Sequence, residues 1–255
     1  MNYVGIDIGS TASKVSVFEK DDLKLNIVMP TGWNSVDTSN KIKEELMKKG
    51  IDVEKSKVIA TGYGRVSVPY AHKTITEITC HGKGAYYLAQ EDLTVIDIGG
   101  QDTKIITVED GNVSNFIMND KCAAGTGRFI ELMANTLNVS IDEMAQMALK
   151  GKDIKITSMC TVFAESEVIS LIGSGANRED IARGVMNSII ERIKTLLNKH
   201  GMKGSLYLTG GLCELEPFVQ LLSEEIGSEV KTGPLGRYAG SIGGALLAKN
   251  IRPRH

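Results

Sequence analysis

The sequence predicts an α/β protein built from two related halves. Three observations lead to this prediction: an apolar strand that ends in a glycine turn at residues 3–10, a restatement of that pattern at residues 95–108, and a third glycine turn at residues 206–212. Glycine turns let backbone N–H groups approach an anion closely. Two such hairpins far apart in the chain, with a late third turn, indicate two α/β halves that close on one nucleotide.

The first hairpin has the motif D-I-G-S-T at residues 7–11, followed by an alternating strand at residues 14–18. Its glycine leaves room for a phosphate oxygen, and Asp7 can hold water around a magnesium ion. The motif is not a Walker loop, because it lacks G-x-x-x-x-G-K-[ST] and a strand follows it instead of a helix. Alone it is a weak signal, since most glycine turns in hairpins are only turns.

The second hairpin, V-I-D-I-G-G-Q-D-T-K-I-I-T-V, repeats the order of the first: strand, acidic residue, small-residue turn, lysine and second strand. The equivalent pairs are Asp7 and Asp97, Gly9 and Gly99, and Lys14 and Lys104. The third turn, T-G-G at residues 209–211, precedes a helix predicted at 214–225. The combination is much more specific than any one turn.

Five further segments have helical periodicity and end signals. They cover residues 39–49, 76–90, 140–149, 177–199 and 238–249. Ser39 is the predicted N-cap of the first, and Ser140 with Glu143 forms a capping box in the third. Glu77 and His81 share one face of the second helix, where a packing contact or solvated pair is favoured over a catalytic dyad. The glycines of the last helix predict close packing.

Composition excludes several classes of partner. The 255 residues carry a net charge of −2, which gives no support for binding nucleic acid or an anionic membrane. No apolar run is long enough to span a bilayer, and the first residues read as a strand rather than a signal peptide. The four cysteines are widely spaced, which is unlike a secreted disulfide framework and favours a reducing cytoplasm.

Cys122 and Cys160 each stand a few residues before an apolar helical run. A helix N-terminus stabilises a thiolate or an anionic cluster bound to it. A cubane iron–sulfur cluster needs four thiolates, and a symmetric dimer would supply them from two cysteines per chain. Cys80 and Cys213 lie in ordinary helical pattern and are predicted to be small buried hydrophobes. The residues alone leave open an intrachain cluster that uses all four cysteines.

The chain resembles a known family at these motifs. D-I-G-S-T, D-I-G-G-Q-D and T-G-G resemble the phosphate-1, phosphate-2 and adenosine elements of the acetate kinase, sugar kinase, Hsp70 and actin superfamily. With D-K-C-A-A-G-T-G-R-F, S-M-C-T-V-F-A-E-S-E and Y-A-G-S-I-G-G-A, the chain looks like the activators of 2-hydroxyacyl-CoA dehydratases, ATP-dependent iron–sulfur reductases related to the ATPase subunits of benzoyl-CoA reductase. The resemblance covers nearly the whole chain.

The resemblance implies two RNase H-like (actin-like ATPase) domains with a nucleotide cleft between them. Their implied limits are residues 1–90 with 236–255, and residues 91–235. ATP or ADP would contact residues of both hairpins and of two further segments: Ser10, Thr11, Ala12, Lys14, Asp97, Gly99, Gly100, Gly125, Thr126, Gly210 and Gly211. Gly125 and Thr126 would sense the γ-phosphate, although a glycine bend that starts a helix explains them equally well.

The resemblance also implies the chemistry. Gln101 or Asp102 would orient the attacking water, and Asp7 with Asp102 or Asp97 would hold Mg²⁺, directly or through water. Cys122 and Cys160 would bind one [4Fe–4S] cluster shared across a homodimer. A ferredoxin or flavodoxin would donate the electron, and an iron–sulfur dehydratase or a double-cubane cluster protein would accept it. Two alternatives stay open: a small-molecule kinase of the same fold, and a redox sensor with little turnover.

Overall fold

The computed structural model describes residues 1–121, 123–157 and 160–251. They form two compact units. The first comprises Met1–Leu93, Ile106–Asn115 and the chain from Leu235 onward, and the second comprises Thr94–Ile105 and Phe116–Pro234. The predicted domain limits differ in placing residues 91–93, 106–115 and 235 in the second domain, and they stay a prediction.

The first sheet has the strand order β3-β2-β1-β4-β5. Its strands are β1 (Asn2–Ile8), β2 (Ala12–Glu19), β3 (Asp22–Pro30), β4 (Lys57–Thr61) and β5 (Lys73–Thr74). The pairs β1–β2 and β2–β3 are antiparallel, whereas β4 runs parallel to β1. Val4, Ile6 and Ile8 of β1 are buried in one core with Val15 and Val17 of β2.

Three helices belong to the first unit: α1 (Ser35–Lys48), α2 (Glu77–Ala89) and α8 (Ala239–Ala248). The sequence prediction for α1 is wrong at its start. Asn34, not Ser39, is the N-cap, because its side-chain oxygen accepts a hydrogen bond from the backbone N–H of Val36 at 2.8 Å. Ser39 instead lies buried inside the helix.

Helices α2 and α8 cross at very short range, as the glycines of α8 predict. A Cβ atom on Gly84 of α2 would lie 1.8 Å from the carbonyl oxygen of Ala239. A Cβ atom on Gly243 of α8 would lie 1.8 Å from the carbonyl oxygen of Cys80. Only glycine allows this approach at both positions.

The second sheet has the order β10-β9-β6-β7-β8. Its strands are β6 (Leu93–Ile98), β7 (Thr103–Glu109), β8 (Asn112–Asn119), β9 (Ser205–Gly210) and β10 (Val230–Lys231). Read from β8, this order is the order of the first sheet with each strand number raised by five. The two sheets therefore share one topology, which confirms the predicted relation between the halves and the α/β class.

The helices of the second unit are α3 (Gly127–Thr136), α4 (Ile141–Lys150), α5 (Thr161–Gly173), α6 (Arg178–His200) and α7 (Glu216–Ile226). The capping box of α4 is present as predicted, with Ser140 and Glu143 bonded reciprocally. Helix α6 passes through the core, where Ile181, Val185 and Ile189 are fully buried. None of the helices in the described part of the chain has the length and apolar character needed to cross a membrane.

Candidate functional site

The first hairpin turn joins β1 to β2. A Cβ atom on Gly9 would lie 2.8 Å from the carbonyl oxygen of Ala12, so the turn is too tight for a side chain at this position. Asp7 is paired with Lys14 in the antiparallel register, and Lys14 Nζ lies 3.8 Å from the position of that Cβ. The ammonium group therefore lies beside the turn. Thr11 is exposed and Ser10 is half-buried, which leaves both open to a ligand.

Asp7 lies in a niche formed by glycine backbone. A Cβ atom on Gly62 would lie 2.5 Å from Asp7 Oδ1, and one on Gly240 would lie 2.7 Å from Asp7 Oδ2. His81 Nε2 is 3.8 Å from Asp7 Oδ2, with both side chains almost completely buried. The sequence favoured a packing contact or a solvated pair for His81. It placed His81 on one face of α2 but did not indicate that this face lies beside Asp7.

The second hairpin turn, between β6 and β7, is also too tight for a side chain at its glycine. A Cβ atom on Gly99 would lie 2.5 Å from Asp102 Oδ1, and the Gly99 N–H donates a 2.9 Å hydrogen bond to the Asp102 carbonyl oxygen. Gln101 is exposed at the tip, whereas Asp102 is buried. Of the two residues predicted to orient water, Gln101 is thus the one on the surface.

A buried ion network lies behind this turn. Lys104 Nζ is 2.7 Å from Asp102 Oδ1 and 3.4 Å from Asp97 Oδ2. The side chain of Lys104 is 3 % exposed, that of Asp102 is 4 % exposed and that of Asp97 is 2 % exposed. Thr209 donates a 2.8 Å hydrogen bond to Asp97 Oδ1. Removing one partner of such a network costs about 3–5 kcal/mol, because a buried charge is left uncompensated. The sequence motifs contained both Lys104 and Thr209 but gave neither residue a role.

Helix α3 begins on the second hairpin turn. The backbone N–H groups of Gly127 and Arg128 donate to the carbonyl oxygens of Gly99 and Gly100 at 2.9 and 3.0 Å. These are two of the N–H groups that a helix N-terminus leaves without an intrahelical partner. The turn and the helix are therefore one hydrogen-bonded piece.

Gly125 and Thr126, which precede α3, are buried. Gly125 has φ of +89°, a conformation that favours glycine, and its carbonyl oxygen accepts a 2.6 Å bond from the Thr103 hydroxyl. The Thr126 hydroxyl donates to the Ala123 carbonyl oxygen at 2.6 Å. The segment before α3 is therefore fixed by two hydrogen bonds. The Gly125 carbonyl group is bonded to the start of β7, and the Thr126 hydroxyl group is bonded to the loop that precedes it.

The third glycine turn follows β9. Gly210 has φ of +90°, and a Cβ atom there would lie 2.2 Å from the carbonyl oxygen of Ile98. Gly211 is exposed, and a Cβ atom added to it would meet nothing within 4 Å. Gly210 thus allows β9 to end against β6, and Gly211 presents an open surface.

Cys160 is the N-cap of α5, which agrees with its predicted place near a helix N-terminus, and its side chain is exposed. The segment before it is attached to the same helix, because the Thr157 N–H donates to both carboxylate oxygens of Glu167 at 3.0 and 3.1 Å. Cys122, the other predicted cluster ligand, lies outside the described residues, and so do Ser158 and Met159 of the second cysteine motif.

Cys80 and Cys213 are buried, as predicted for small core residues. Burial raises the pKa of the Cys80 thiol to about 12, an effect opposed by a hydrogen bond with Thr61 and increased by the charges of Asp7 and Glu77. Cys80 therefore stays a thiol at neutral pH. Within residues 1–121, 123–157 and 160–251, no three His, Cys, Asp or Glu side chains are grouped to hold a metal ion.

One face of α5 is apolar and exposed. Val162 and Phe163 are 64 % and 68 % exposed, and Ile169 and Ile172 are exposed further along the helix. Ala164 and Val168 on the opposite face are buried in the core of the second unit. Exposed apolar surface on a helix that starts at an exposed cysteine is typical of an interaction surface.

Two sheets of equal topology, each with a glycine hairpin beside a buried aspartate, define an actin-like ATPase. The chain belongs to the BadF/BadG/BcrA/BcrD ATPase family, whose model matches residues 4–248. It is 41 % identical to the (R)-2-hydroxyglutaryl-CoA dehydratase activating ATPase of Acidaminococcus fermentans, with 96 % of each chain covered. It is 30 % identical to a benzoyl-CoA reductase subunit of Thauera aromatica, over 95 % of this chain and 91 % of that one.

Solved structures agree with the fold. The activator of the 2-hydroxyisocaproyl-CoA dehydratase from Clostridium difficile, with bound ADPNP, superposes with a TM-score of 0.90 at 35 % identity and complete coverage of both chains. A ROK family glucokinase from Streptomyces griseus superposes with a TM-score of 0.63 at 14 % identity, covering 98 % of this chain and 100 % of that one. The second likeness is one of fold alone.

Proposed function

We propose that the protein is an ATP-hydrolysing [4Fe–4S] reductase that delivers a low-potential electron to a partner iron–sulfur enzyme, as an activator of the 2-hydroxyacyl-CoA dehydratase type. The main support is the end-to-end similarity to an activating ATPase at 41 % identity. The exposed cysteine at the start of α5 agrees with this function, whereas a small-molecule kinase would have no use for it.

In this proposal the glycine turns bind ATP. Ser10, Thr11, Ala12 and the Lys14 ammonium would contact phosphate oxygens at the first turn. Gly99, Gly100 and the exposed Gln101 would do so at the second. Gly211, which is open in the structure, would lie against the adenosine, and Gly210 would hold the turn in place.

Asp7 would be the magnesium residue of the first turn. A carboxylate is a preferred Mg²⁺ ligand, and this ion usually keeps several of its waters. The Asp7 carboxylate is packed against the backbone of Gly62 and Gly240, where a Cβ atom would come within 2.5 and 2.7 Å of its oxygens, so Asp7 would hold the ion through water. When bound, the ion would neutralise charge on the phosphates.

ATP hydrolysis would depend on positioning rather than on covalent chemistry, as in other phosphoryl transfers. Gln101 is exposed at the tip of its turn and can orient a water molecule through its amide. Asp102 is buried against Lys104, so its contribution would be to fix the turn and the local charge.

Gln101→Ala should bind ATP with nearly unchanged affinity but hydrolyse it at least about 100-fold more slowly, because water orientation is lost while the phosphate contacts remain. Steady-state kcat together with binding of a non-hydrolysable ATP analogue separates the two effects. Unchanged turnover would remove Gln101 from the catalytic residues.

The cluster would be held by Cys160 and Cys122 of two copies of the chain. Cys160 fits this role because it is exposed at a helix N-terminus, where the helix dipole favours an anionic cluster. The apolar face with Val162 and Ile169 would be covered by the second copy. A [4Fe–4S] cluster bound there supplies a one-electron carrier.

The second unit offers a continuous route from the nucleotide to Cys160. The turn at Gly99 and Gly100 is hydrogen-bonded to the start of α3, and α3 packs against α5. A change in the turn on binding or hydrolysis of ATP would therefore move both helices. Gly125 and Thr126 would act here as a connection rather than as a direct contact to the γ-phosphate.

The partners follow from the same proposal. The electron acceptor would be an iron–sulfur dehydratase or a double-cubane cluster protein, and the donor a ferredoxin or flavodoxin. Low-potential chemistry of this kind and the exposed Cys160 agree with the predicted cytoplasmic location.

The proposal is tested by anaerobic purification and quantitation of iron and sulfide. We expect about four irons per dimer and a reduced spectrum in electron paramagnetic resonance that changes when ATP is added. An iron-free protein that hydrolyses ATP faster when a phosphoryl acceptor is present would favour the kinase. A cluster-containing protein whose ATPase activity ignores the cluster state would favour the sensor.

A further inference from the structure

The first hairpin turn is fixed by Thr31, the residue that follows β3. The Thr31 hydroxyl donates a 2.8 Å hydrogen bond to the Gly9 carbonyl oxygen, and the Thr31 backbone N–H donates to the Thr11 carbonyl oxygen at 3.0 Å. Thr31 itself is only 6 % exposed. One buried residue therefore holds the turn between β1 and β2 at two points.

The hydroxyl of Ser13 completes this arrangement. It lies 2.8 Å from the Thr31 hydroxyl, and both groups are buried. A hydroxyl has one hydrogen to donate, and Thr31 gives its hydrogen to Gly9, so Ser13 donates to Thr31. The bonds therefore run from Ser13 through Thr31 to the turn, and removal of the Thr31 hydroxyl breaks both of them.

These bonds also set the direction of two N–H groups of the turn. A trans peptide group is planar, so its C=O and N–H bonds point in opposite directions. The carbonyl of Gly9 shares its peptide group with the N–H of Ser10, and that of Thr11 shares its group with the N–H of Ala12. Because Thr31 holds both carbonyl oxygens, both N–H groups point away from Thr31. The Ser10 N–H donates to no acceptor among the residues that the structure describes.

We propose that Thr31 is a positioning residue for ATP, which orients two peptide groups of the first turn toward the phosphates and ties this turn to the start of α1. The inference rests on the proposed contacts of Ser10, Thr11 and Ala12 with phosphate oxygens. Backbone N–H groups at a turn bind such oxygens when their orientation is fixed in advance. Thr31 lies outside all of the sequence motifs and had no predicted role.

The second half of the chain holds its turn at the equivalent place. Gly99, the counterpart of Gly9, accepts a hydrogen bond at its carbonyl oxygen from the backbone N–H of Gly127. Gly127 begins α3, which follows β8, the third strand of that half, just as Thr31 follows β3. The same carbonyl is thus held in both halves from the segment after the third strand. In the first half a side-chain hydroxyl makes the contact, so a substitution can remove it.

Thr31 also links the turn to α1. Its carbonyl oxygen accepts a hydrogen bond from the hydroxyl of Thr38, which lies in the first turn of that helix. Trp33 stands between the two threonines, is the single tryptophan of the sequence and is 92 % exposed. A change in the phosphate turn should therefore reach the backbone around Trp33, where indole fluorescence can record it.

The first experiment replaces Thr31 by valine, which has nearly the same shape but no hydroxyl. Thr31→Val should raise KM for ATP by about tenfold, equal to about 1.4 kcal/mol, and change kcat by less than about twofold. The first turn would contact the phosphates both before and during hydrolysis, whereas Gln101, which would orient the water, is unchanged. The Kd of a non-hydrolysable ATP analogue should rise by the same factor as KM.

Two variants separate positioning from stability. Thr31→Ser keeps the hydroxyl and should have a KM within about twofold of wild type. Ser16→Ala removes a buried hydroxyl of β2 that bonds to Asn26 and Ser241 at 2.7 Å each, so it should lower Tm without changing KM. An unchanged KM in Thr31→Val would overturn the inference, and so would an equal rise in KM in Thr31→Ser or Ser16→Ala.

The second experiment follows the fluorescence of Trp33 while the ATP analogue is added. The wild-type signal should change on saturation, and Thr31→Val should show less than about half of that change at its own saturation. A constant wild-type signal, or a full change in Thr31→Val, contradicts the link to α1. If Thr31→Val does not fold, the wild-type signal and the KM of Thr31→Ser decide.

Failure of the proposed function would look different. A wild-type protein that binds no ATP analogue would contradict phosphate binding by the turn. Equal binding by wild type and Thr31→Val would contradict only the role of Thr31. Binding and fluorescence are measured without electron transfer, so they test this role independently of the reductase activity.

Discussion

Replacement of Cys160 by alanine is expected to reduce the iron content to background and to abolish electron transfer, while ATP binding is retained. The reason is that Cys160 is an exposed cysteine at a helix N-terminus. Because both chains of the proposed dimer carry the substitution, the cluster would lose two of its four cysteine ligands. Iron and sulfide analysis of the anaerobically purified variant, together with ATP binding, measures both effects.

The buried cysteines are the matched controls for this variant. Cys80→Ala and Cys213→Ala should keep full iron content, since both thiols are buried and burial keeps the pKa of Cys80 high. Loss of iron from both controls would instead indicate an intrachain cluster that uses all four cysteines. Retention of iron by Cys160→Ala would remove this residue from the ligand set.

Gly243→Ala is expected to lower the free energy of unfolding by about 3 kcal/mol, at the upper end of the usual cost of overpacking. The new Cβ would lie 1.8 Å from the Cys80 carbonyl oxygen and 2.9 Å from the Gly84 backbone nitrogen. Neither atom belongs to a flexible side chain, so α2 and α8 must move apart. Chemical denaturation of the purified variant measures the change.

Gly173→Ala is the control for helix propensity. Gly173 ends α5 and a Cβ there meets nothing within 4 Å, so alanine should be neutral or stabilise by up to about 1 kcal/mol. If Gly243→Ala proved as stable as this control, the close crossing of α2 and α8 would be wrong.

Local turn chemistry made much of the fold predictable. Glycines that follow apolar strands identified both hairpins, and the shared sheet order confirmed that the halves are related. The third strand of each half, β3 and β8, was not predicted. Both strands are largely half-buried or exposed and contain polar residues, so their apolar periodicity is weak.

The site was predictable where the chain itself carries the signal and not where distant segments meet. The turn residues and Cys160 follow from local motifs. The bond between Thr209 and Asp97 joins residues 112 positions apart. His81 reaches Asp7 only because α2 packs against α8, which in turn packs against β1. Such contacts depend on packing, which a motif does not encode.

The hydrogen bonds from Gly127 and Arg128 to the second hairpin turn have a consequence for measurement. Amide hydrogens exchange with solvent when their bonds open, so these two amides should exchange at a rate set by the turn rather than by fraying of α3. Deuterium uptake at residues 127 and 128, followed with and without ATP, would therefore record the state of the phosphate turn from inside the helix that leads toward the cysteines.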